Sequence, residues 1–390
     1  MITGAGTSVS FGFPSTSKFT NLIENSLRAD SSMSTGAVSL YDDIVTGLKS
    51  YLTKPGVTFE DIYQSIQDIR TIQCIPTDPK ALDEFRPRVG ATHILKGHLC
   101  SYSNQEGLIL QNAYLNNILD TFLNSLTSAS GVDQLSTALM YLHKKFILWS
   151  FTLNYDNLIS DVLLDFVSGF IPGGAPRAFD PNILLSALYS HNPIHCHLHG
   201  SLKWGFPKTL SNDPFELHEF DNPKDGVENS KTRPSGRSAQ RGETLPTSPI
   251  ITGLDKTELV FRQPFFTAFL AFFRSLSLCS DLLISGYGFS DRHVNMCIQQ
   301  CRRYRPNVRT YIIDKDSNDH PSSYFRRLTP DAYHTISPGD IARSEEVPAF
   351  PGWWRVPGIS GKLFTTGPIL LWLRGFDTFC KAIVNDGFPT

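Results

Sequence analysis

The residues that could do chemistry stand where apolar runs stop. Asn154 and Asp156 follow Phe146 to Phe151, His199 follows Ile194 to Leu198, Gly286 to Asp291 follow Asp281 to Ser285, and Asp314 follows Val308 to Ile313. A fifth turn, Gly4-Ala5-Gly6-Thr7-Ser8, opens the chain. A Gly-x-Gly turn with small hydroxyl residues leaves backbone N–H groups bare, which suits a phosphate or pyrophosphate, and the next helix points its positive end at it. A neutral histidine, with an ordinary pKa near 6.5, accepts a proton at neutral pH, an asparagine holds a water or hydroxyl, and a strand-terminal carboxylate takes a ribose hydroxyl. Each feature has a plainer reading. The glycines also suit a tight surface turn, Asn154 a turn former, and Asp291 with Asn295 a helix start. His195, His197 and His199 alternate and share one strand face, which could assemble a metal site, although His197 suits a structural hydrogen bond.

The elements that must position these residues follow from periodicity. Continuous apolar runs of four to six residues read as parallel strands buried on both faces, and open α/β sheets bind ligands at the carboxyl ends of such strands. Phe19, Leu22, Ile23 and Leu27 have helical spacing after the caps Ser15 and Thr16, and Leu115, Leu119, Phe122 and Leu126 mark a helix over Leu108 to Leu126. The pattern predicts further helices over Asn157 to Val167, from Pro264 to Leu276, Asp291 to Tyr304 and Pro368 to Val384; Cys297 and Cys301 share a core-facing helical side. Pro249 to Thr252 is a further strand expectation, and Asn212 to Gln240, poor in aliphatic residues, reads as a mobile loop.

Composition narrows the class. The 390 residues are 41% hydrophobic, enough for a large core in about two domains, and 35 basic against 37 acidic residues provide no global field for nucleic acid or an anionic membrane. The seven cysteines are odd in number and contain no C-x-x-C, which argues against a disulfide framework or a zinc ribbon and for a cytoplasmic home. The N-terminus shows no secretory pattern, and the most apolar stretches, Phe265 to Phe273 and Ile369 to Leu373, read as buried helices. Only Met1, Ile2 and Thr3 precede Gly4, so the native product is expected to start upstream or the first strand to be unusually short. The expected fold is α/β, Rossmann-like, with a mostly parallel sheet, a helical insertion subdomain and a C-terminal extension. Its discontinuous core covers residues 1–28 and 143–318, the insertion 29–142, a mobile loop 205–248 and the extension 319–390.

Four stretches in this order resemble the sirtuin family, and more closely its sirtuin-like branch of bacterial NAD-consuming antiphage defence proteins: Gly4-Ala5-Gly6-Thr7-Ser8, Thr152-Leu153-Asn154-Tyr155-Asp156, His199-Gly200-Ser201, and Gly286-Tyr287-Gly288-Phe289-Ser290-Asp291 with Asn295. The resemblance implies an NAD-binding sheet that breaks the bond between nicotinamide and ribose. Asn154 and His199 would be catalytic, and Gly4, Ala5, Gly6, Thr7, Ser8, Asp156, Gly200, Ser201, Gly286, Tyr287, Ser290, Asp291 and Asp314 would bind NAD, with no metal. Deacylases of the family carry Asp-Phe-Arg after the Gly-x-Pro turn and paired C-x-x-C zinc motifs; here Gly12-Phe13-Pro14 runs into Ser15-Thr16-Ser17 and the cysteine pairs are absent. The implied activity is hydrolysis of NAD to nicotinamide and ADP-ribose by a regulated effector in antiphage defence. The alternatives are a non-catalytic NAD or ADP-ribose binding module, a protein deacylase and a metal-dependent hydrolase. Such proteins work with ATPases, Argonaute-type proteins or copies of themselves.

Overall fold

A computed structural model describes residues 1–51, 56–73, 102–126, 130–207, 216–231, 248–252, 260–359 and 367–389. Its strands are β1 (Ile2–Thr3), β2 (Trp149–Thr152), β3 (Arg177–Ala178), β4 (Ile194–His197), β5 (Trp204–Gly205), β6 (His218–Glu219), β7 (Asp281–Ser285), β8 (Arg309–Ile313), β9 (Glu345–Glu346), β10 (Trp353–Val356) and β11 (Ile369–Trp372). Eight of them form one sheet in the order β4-β2-β1-β7-β8-β11-β10-β9, and β3, β6 and β5 form a small second sheet. From β4 to β11 every pairing is parallel; β10 alone runs antiparallel to its two neighbours. This is a mostly parallel, Rossmann-like α/β sheet.

Continuous apolar strands produce two covered faces because successive side chains point to opposite sides. Leu282, Ile284, Ile312 and Leu371 join one core with the helices Phe265–Leu278, Arg292–Tyr304 and Pro330–Ile336, while Leu283, Tyr311, Ile313 and Trp372 join another with Val132–Lys145 and Phe376–Asn385. Each fully buried side chain of this size contributes on the order of 1.5–3 kcal/mol. The helices Thr16–Ala29, Thr35–Tyr51, Phe59–Gln73 and Asn104–Ser125, all between β1 and β2, pack a further apolar cluster that also takes in Tyr155, Leu202, Val227 and Ile250. Local caps fix where they begin. Ser15 accepts from the Lys18 N–H, and Ser103 with Glu106 closes a capping box.

Several elements depart from expectation. Asn157 to Val167 is a chain of turns rather than a helix. Asp156 Oδ1 takes the Leu158 N–H at 3.0 Å, an Asx turn that competes with helix, and Val167 is drawn off to bridge Ile194. Ile369 to Leu373 is not helical: Ile369–Trp372 is β11, parallel to β8, and the helix waits until Phe376, after Gly375 at φ +90. A four-residue apolar run suits either element, and here the open flank of β8 decides. The C-terminal extension therefore supplies three of the eight strands of the main sheet. Within the stretch expected to be a mobile loop, 216–231 contains β6 and the helix Pro223–Lys231, anchored by buried Leu217, Phe220 and Val227; the rest of Asn212 to Gln240 lies outside the described residues. Pro249 to Thr252 adds no strand to the sheet, only a bridge from Ile250 to Gly200.

Candidate functional site

The chain runs from β1 outward through β2 to β4, then returns to the other side of β1 and runs outward through β7, β8 and β11. The order thus reverses between β1 and β7, and the crevice outside the carboxyl ends of such strands is where open α/β sheets place ligands. A cavity of about 400 Å³ lies there. Of the fifteen residues expected to form the site, twelve line it: Gly4, Ala5, Gly6, Ser8, Asn154, Asp156, His199, Gly286, Tyr287, Ser290, Asp291 and Asp314. Two cavities elsewhere are larger, about 470 and 610 Å³, but neither touches the glycine turn.

The glycine turn is built differently from its sequence reading. Its N–H groups are largely committed: Gly4 donates to Ser285 O, Gly6 to Gly286 O and Thr7 to Gly4 O, each at 2.9 Å. The helix that begins in the turn is the short Ala5–Val9, and Thr16–Ala29 follows separately. Ala5, as its first residue, has no intrahelical acceptor for its N–H. The glycines are there because the two loops touch backbone to backbone. A Cβ on Gly6 would lie 2.8 Å from Gly286 Cα, and one on Gly286, at φ +55, would lie 2.0 Å from the Thr7 nitrogen. Thr7 faces away from the cavity and bonds the Ser285 hydroxyl and carbonyl.

One hydrogen-bond chain fixes Asn154. Ser8 Oγ donates its only proton to Asp156 Oδ2 at 2.7 Å, so it must accept from Asn154 Nδ2 at 2.8 Å, and the second amide proton goes to Gly4 O at 3.0 Å. Both amide protons are committed, leaving Oδ1 as the atom that can accept from a hydroxyl or water. Burial pushes the Asp156 carboxyl up, against the Ser8 and Leu158 bonds that pull it down. Burial likewise pushes Asp314 up, partly offset by the Lys315 N–H that caps it.

The three alternating histidines do not act together. His195 bonds Ser150 Oγ at 3.1 Å, and His197 donates from Nδ1 to the Asn154 carbonyl at 3.1 Å, holding that backbone from behind. His199 lies beyond the end of β4 and turns to the cavity, where its Nε2 lies 3.3 Å from His293 Nε2 and 4.0 Å from Asp291 Oδ1. The shared strand face that would have made a metal site therefore breaks at His199. Gly200, at φ +96, packs on Pro249 and Ile250, and Ser201 bonds Asn157 and the Lys203 N–H, so both support the site without lining it. Tyr287 and Asn295 lock the Gly286 to Asp291 turn: the tyrosine hydroxyl lies 2.8 Å from Asn295 Oδ1, and Asn295 Nδ2 donates to Phe289 O. Asp291 precedes the helix Arg292–Tyr304 but makes no side-chain cap bond to it.

Sequence reasoning missed His293 and the aromatic wall. Phe19, Phe59 and Phe122 line the cavity from the helical region and Phe13 from the loop before it, with Phe19 in ring contact with both Phe59 and Phe122. His293 stood two residues past Asp291, a visible signal; the phenylalanines carried none, since apolar residues at helical spacing read as core.

Burial holds His197 down to about 4 from 6.5, and His195 well below 6.5, so both fold as neutral rings. The unfolded chain binds these protons first, so the contribution is complete above about pH 6.5 and is lost as pH falls toward 4. For His197 alone the loss amounts to about 3 kcal/mol. Thermal melting is expected several degrees lower at pH 5 than at pH 7.5, with His197→Asn flattening the decline; a flat profile in the parent would rule out buried neutral rings.

The SIR2-like domain family matches residues 150–333, which supports a sirtuin-like domain there. The match spans β2 to β8 and includes Asn154, Asp156, His199, Asp291 and Asp314. The comparison with curated proteins returned no match. No helix of the described residues is long and apolar enough to cross a membrane.

Proposed function

We propose, from the premise that residues 150–333 form a sirtuin-like domain, that this protein is an NAD glycohydrolase, releasing nicotinamide and ADP-ribose. The observation that carries the reading is the convergence of Asn154 and His199, 45 positions apart in the chain, on one cavity at the switch point beside the glycine turn. The lining suits the substrate: a small-residue turn beside the pyrophosphate, Asp156 and Asp314 for ribose hydroxyls, and aromatic faces for flat rings.

The bond from ribose C1′ to the positively charged nicotinamide ring breaks with its electron pair leaving on nicotinamide, which departs neutral and needs no acid. Asn154 Oδ1 orients a water or ribose hydroxyl toward the electron-poor ribose. His199, backed by His293 and Asp291, takes the proton that the attacking oxygen releases, and C1′ gains the new C–O bond. The pairs of zinc cysteines that a deacylase of this family uses are absent from the sequence. That turnover serves antiphage defence under a trigger, alone, as a homo-oligomer or with an ATPase or Argonaute-type partner, is the extension of this reading that the motif resemblance supports.

The test is nicotinamide release from NAD by the purified protein, with an acetyl-lysine peptide in parallel. Nicotinamide and ADP-ribose in equal amounts, independent of peptide, are expected. NAD binding without any release would favour the binding module, and release only with peptide would favour the deacylase.

A further inference from the structure

We propose that His199, Asp291 and His293 form a site for a borderline divalent transition metal, zinc being the probe of choice, and that the metal competes with NAD turnover. The three side chains offer ligand atoms that all lie within 4.8 Å of one another. Two separations, 3.3 Å between the imidazole Nε2 atoms and 4.0 Å from His199 Nε2 to Asp291 Oδ1, bracket what a tetrahedral zinc requires. Bonds of about 2.0–2.1 Å at tetrahedral angles put neighbouring ligand atoms roughly 3.3–3.5 Å apart. Small rotations of the rings and the carboxylate therefore complete a three-ligand set with a fourth position open to the cavity.

The chemistry of the set points to a cation. Two imidazoles facing through Nε2 hold a single proton between them when neutral, and a metal ion would satisfy both nitrogen lone pairs at once. Asp291 contributes negative charge, its Oδ1 lying 4.0 Å from His199 Nε2. His199 is buried and the other two are half-buried, so the ligands are held by the fold rather than by solvent-exposed loops. Two histidines and one carboxylate with an open position suit zinc. The sequence contains no C-x-x-C, which argues against a zinc ribbon and does not bear on this set.

Metal binding rests on the side-chain geometry alone. Its competition with turnover rests on the NAD glycohydrolase reading, because His199 is the group that takes the proton. Bound zinc would occupy the nitrogen lone pair and place a positive charge where the ribose develops its own.

The experiment is calorimetric titration of the full chain with zinc chloride, without NAD. One zinc per chain is expected, and His293→Gln and Asp291→Asn should each weaken it by at least about 100-fold, since loss even of groups that only support a metal ligand costs 10–100-fold. Melting curves of both variants check that they fold. His195→Gln, outside the three-ligand set and bonded to Ser150 instead, should leave zinc affinity unchanged in protein whose melting curve shows that it folds. Zinc binding that survives both ligand variants, or that disappears in His195→Gln, overturns the site, whatever the protein does to NAD. With the site established, added zinc is expected to suppress nicotinamide release at least tenfold and a chelator to restore it; undiminished release with the site saturated overturns the competition alone.

Discussion

Asn154→Ala and His199→Ala are each expected to lower NAD turnover by about two orders of magnitude or more, the usual effect of removing a positioning group or a general base. The loss should fall on kcat, because neither side chain grips the pyrophosphate. The two variants are not equivalent. Asn154→Ala also releases Gly4 O and Ser8 Oγ, both of which the amide holds, so part of its effect travels through the glycine turn. Ser8→Ala separates the contributions. It removes the bridge to Asp156 but leaves Asn154 Oδ1 in place and the Asn154 Nδ2 bond to Gly4 O intact, and so should cost roughly tenfold or less. His199→Ala leaves His293 and Asp291 in place, yet neither inherits the position facing the ribose. Single-turnover nicotinamide release beside NAD titration reads the division; parental turnover in both alanine variants would sink the mechanism.

The sheet was legible in the sequence because a strand buried on both faces must be apolar throughout, and Leu282 to Ile284 and Tyr311 to Ile313 could hardly be anything else. The same rule misled at Ile369 to Leu373, where a run of four or five apolar residues fits a helix equally well until a neighbouring strand claims it. Asn154, Asp156, His199 and Asp314 were legible as polar residues closing apolar runs, and the structure brings all four to one cavity. The aromatic wall was not, because Phe19, Phe59 and Phe122 occupy ordinary core positions of their helices and become cavity lining only when the helical region docks over the sheet. The committed N–H groups were equally invisible. Whether a Gly-x-Gly turn offers its donors to a ligand or spends them on a neighbouring loop depends on Gly286, some 280 residues away in the sequence.

That contact determines how a change at Gly6 should act. In isolation, a bulky residue in the turn would block the pyrophosphate and leave the catalytic pair untouched. In the folded protein, the Gly6 Cβ position lies 2.8 Å from Gly286 Cα and 3.1 Å from Gly286 O, both backbone atoms that cannot rotate aside. Gly6→Val must therefore push the two loops apart and stretch the Gly6 N–H to Gly286 O bond. Gly4 moves with the turn, and Gly4 O is one of the two groups that orient Asn154. A displacement of about 1 Å in a catalytic group is worth on the order of 100-fold in rate. Gly6→Val is thus expected to lose NAD affinity and turnover together, each by about 100-fold or more, with a lowered melting temperature. Gly288→Ala provides the contrast: it lies on the same loop and the same cavity, but its Cβ would meet nothing within 4 Å. That variant should keep affinity and turnover within about threefold of the parent, as surface changes away from packed features usually do. Normal turnover at saturating NAD in Gly6→Val would mean that the β1 and β7 loops slide without disturbing Asn154, and the mechanical coupling between the glycine turn and the catalytic amide would have to be abandoned.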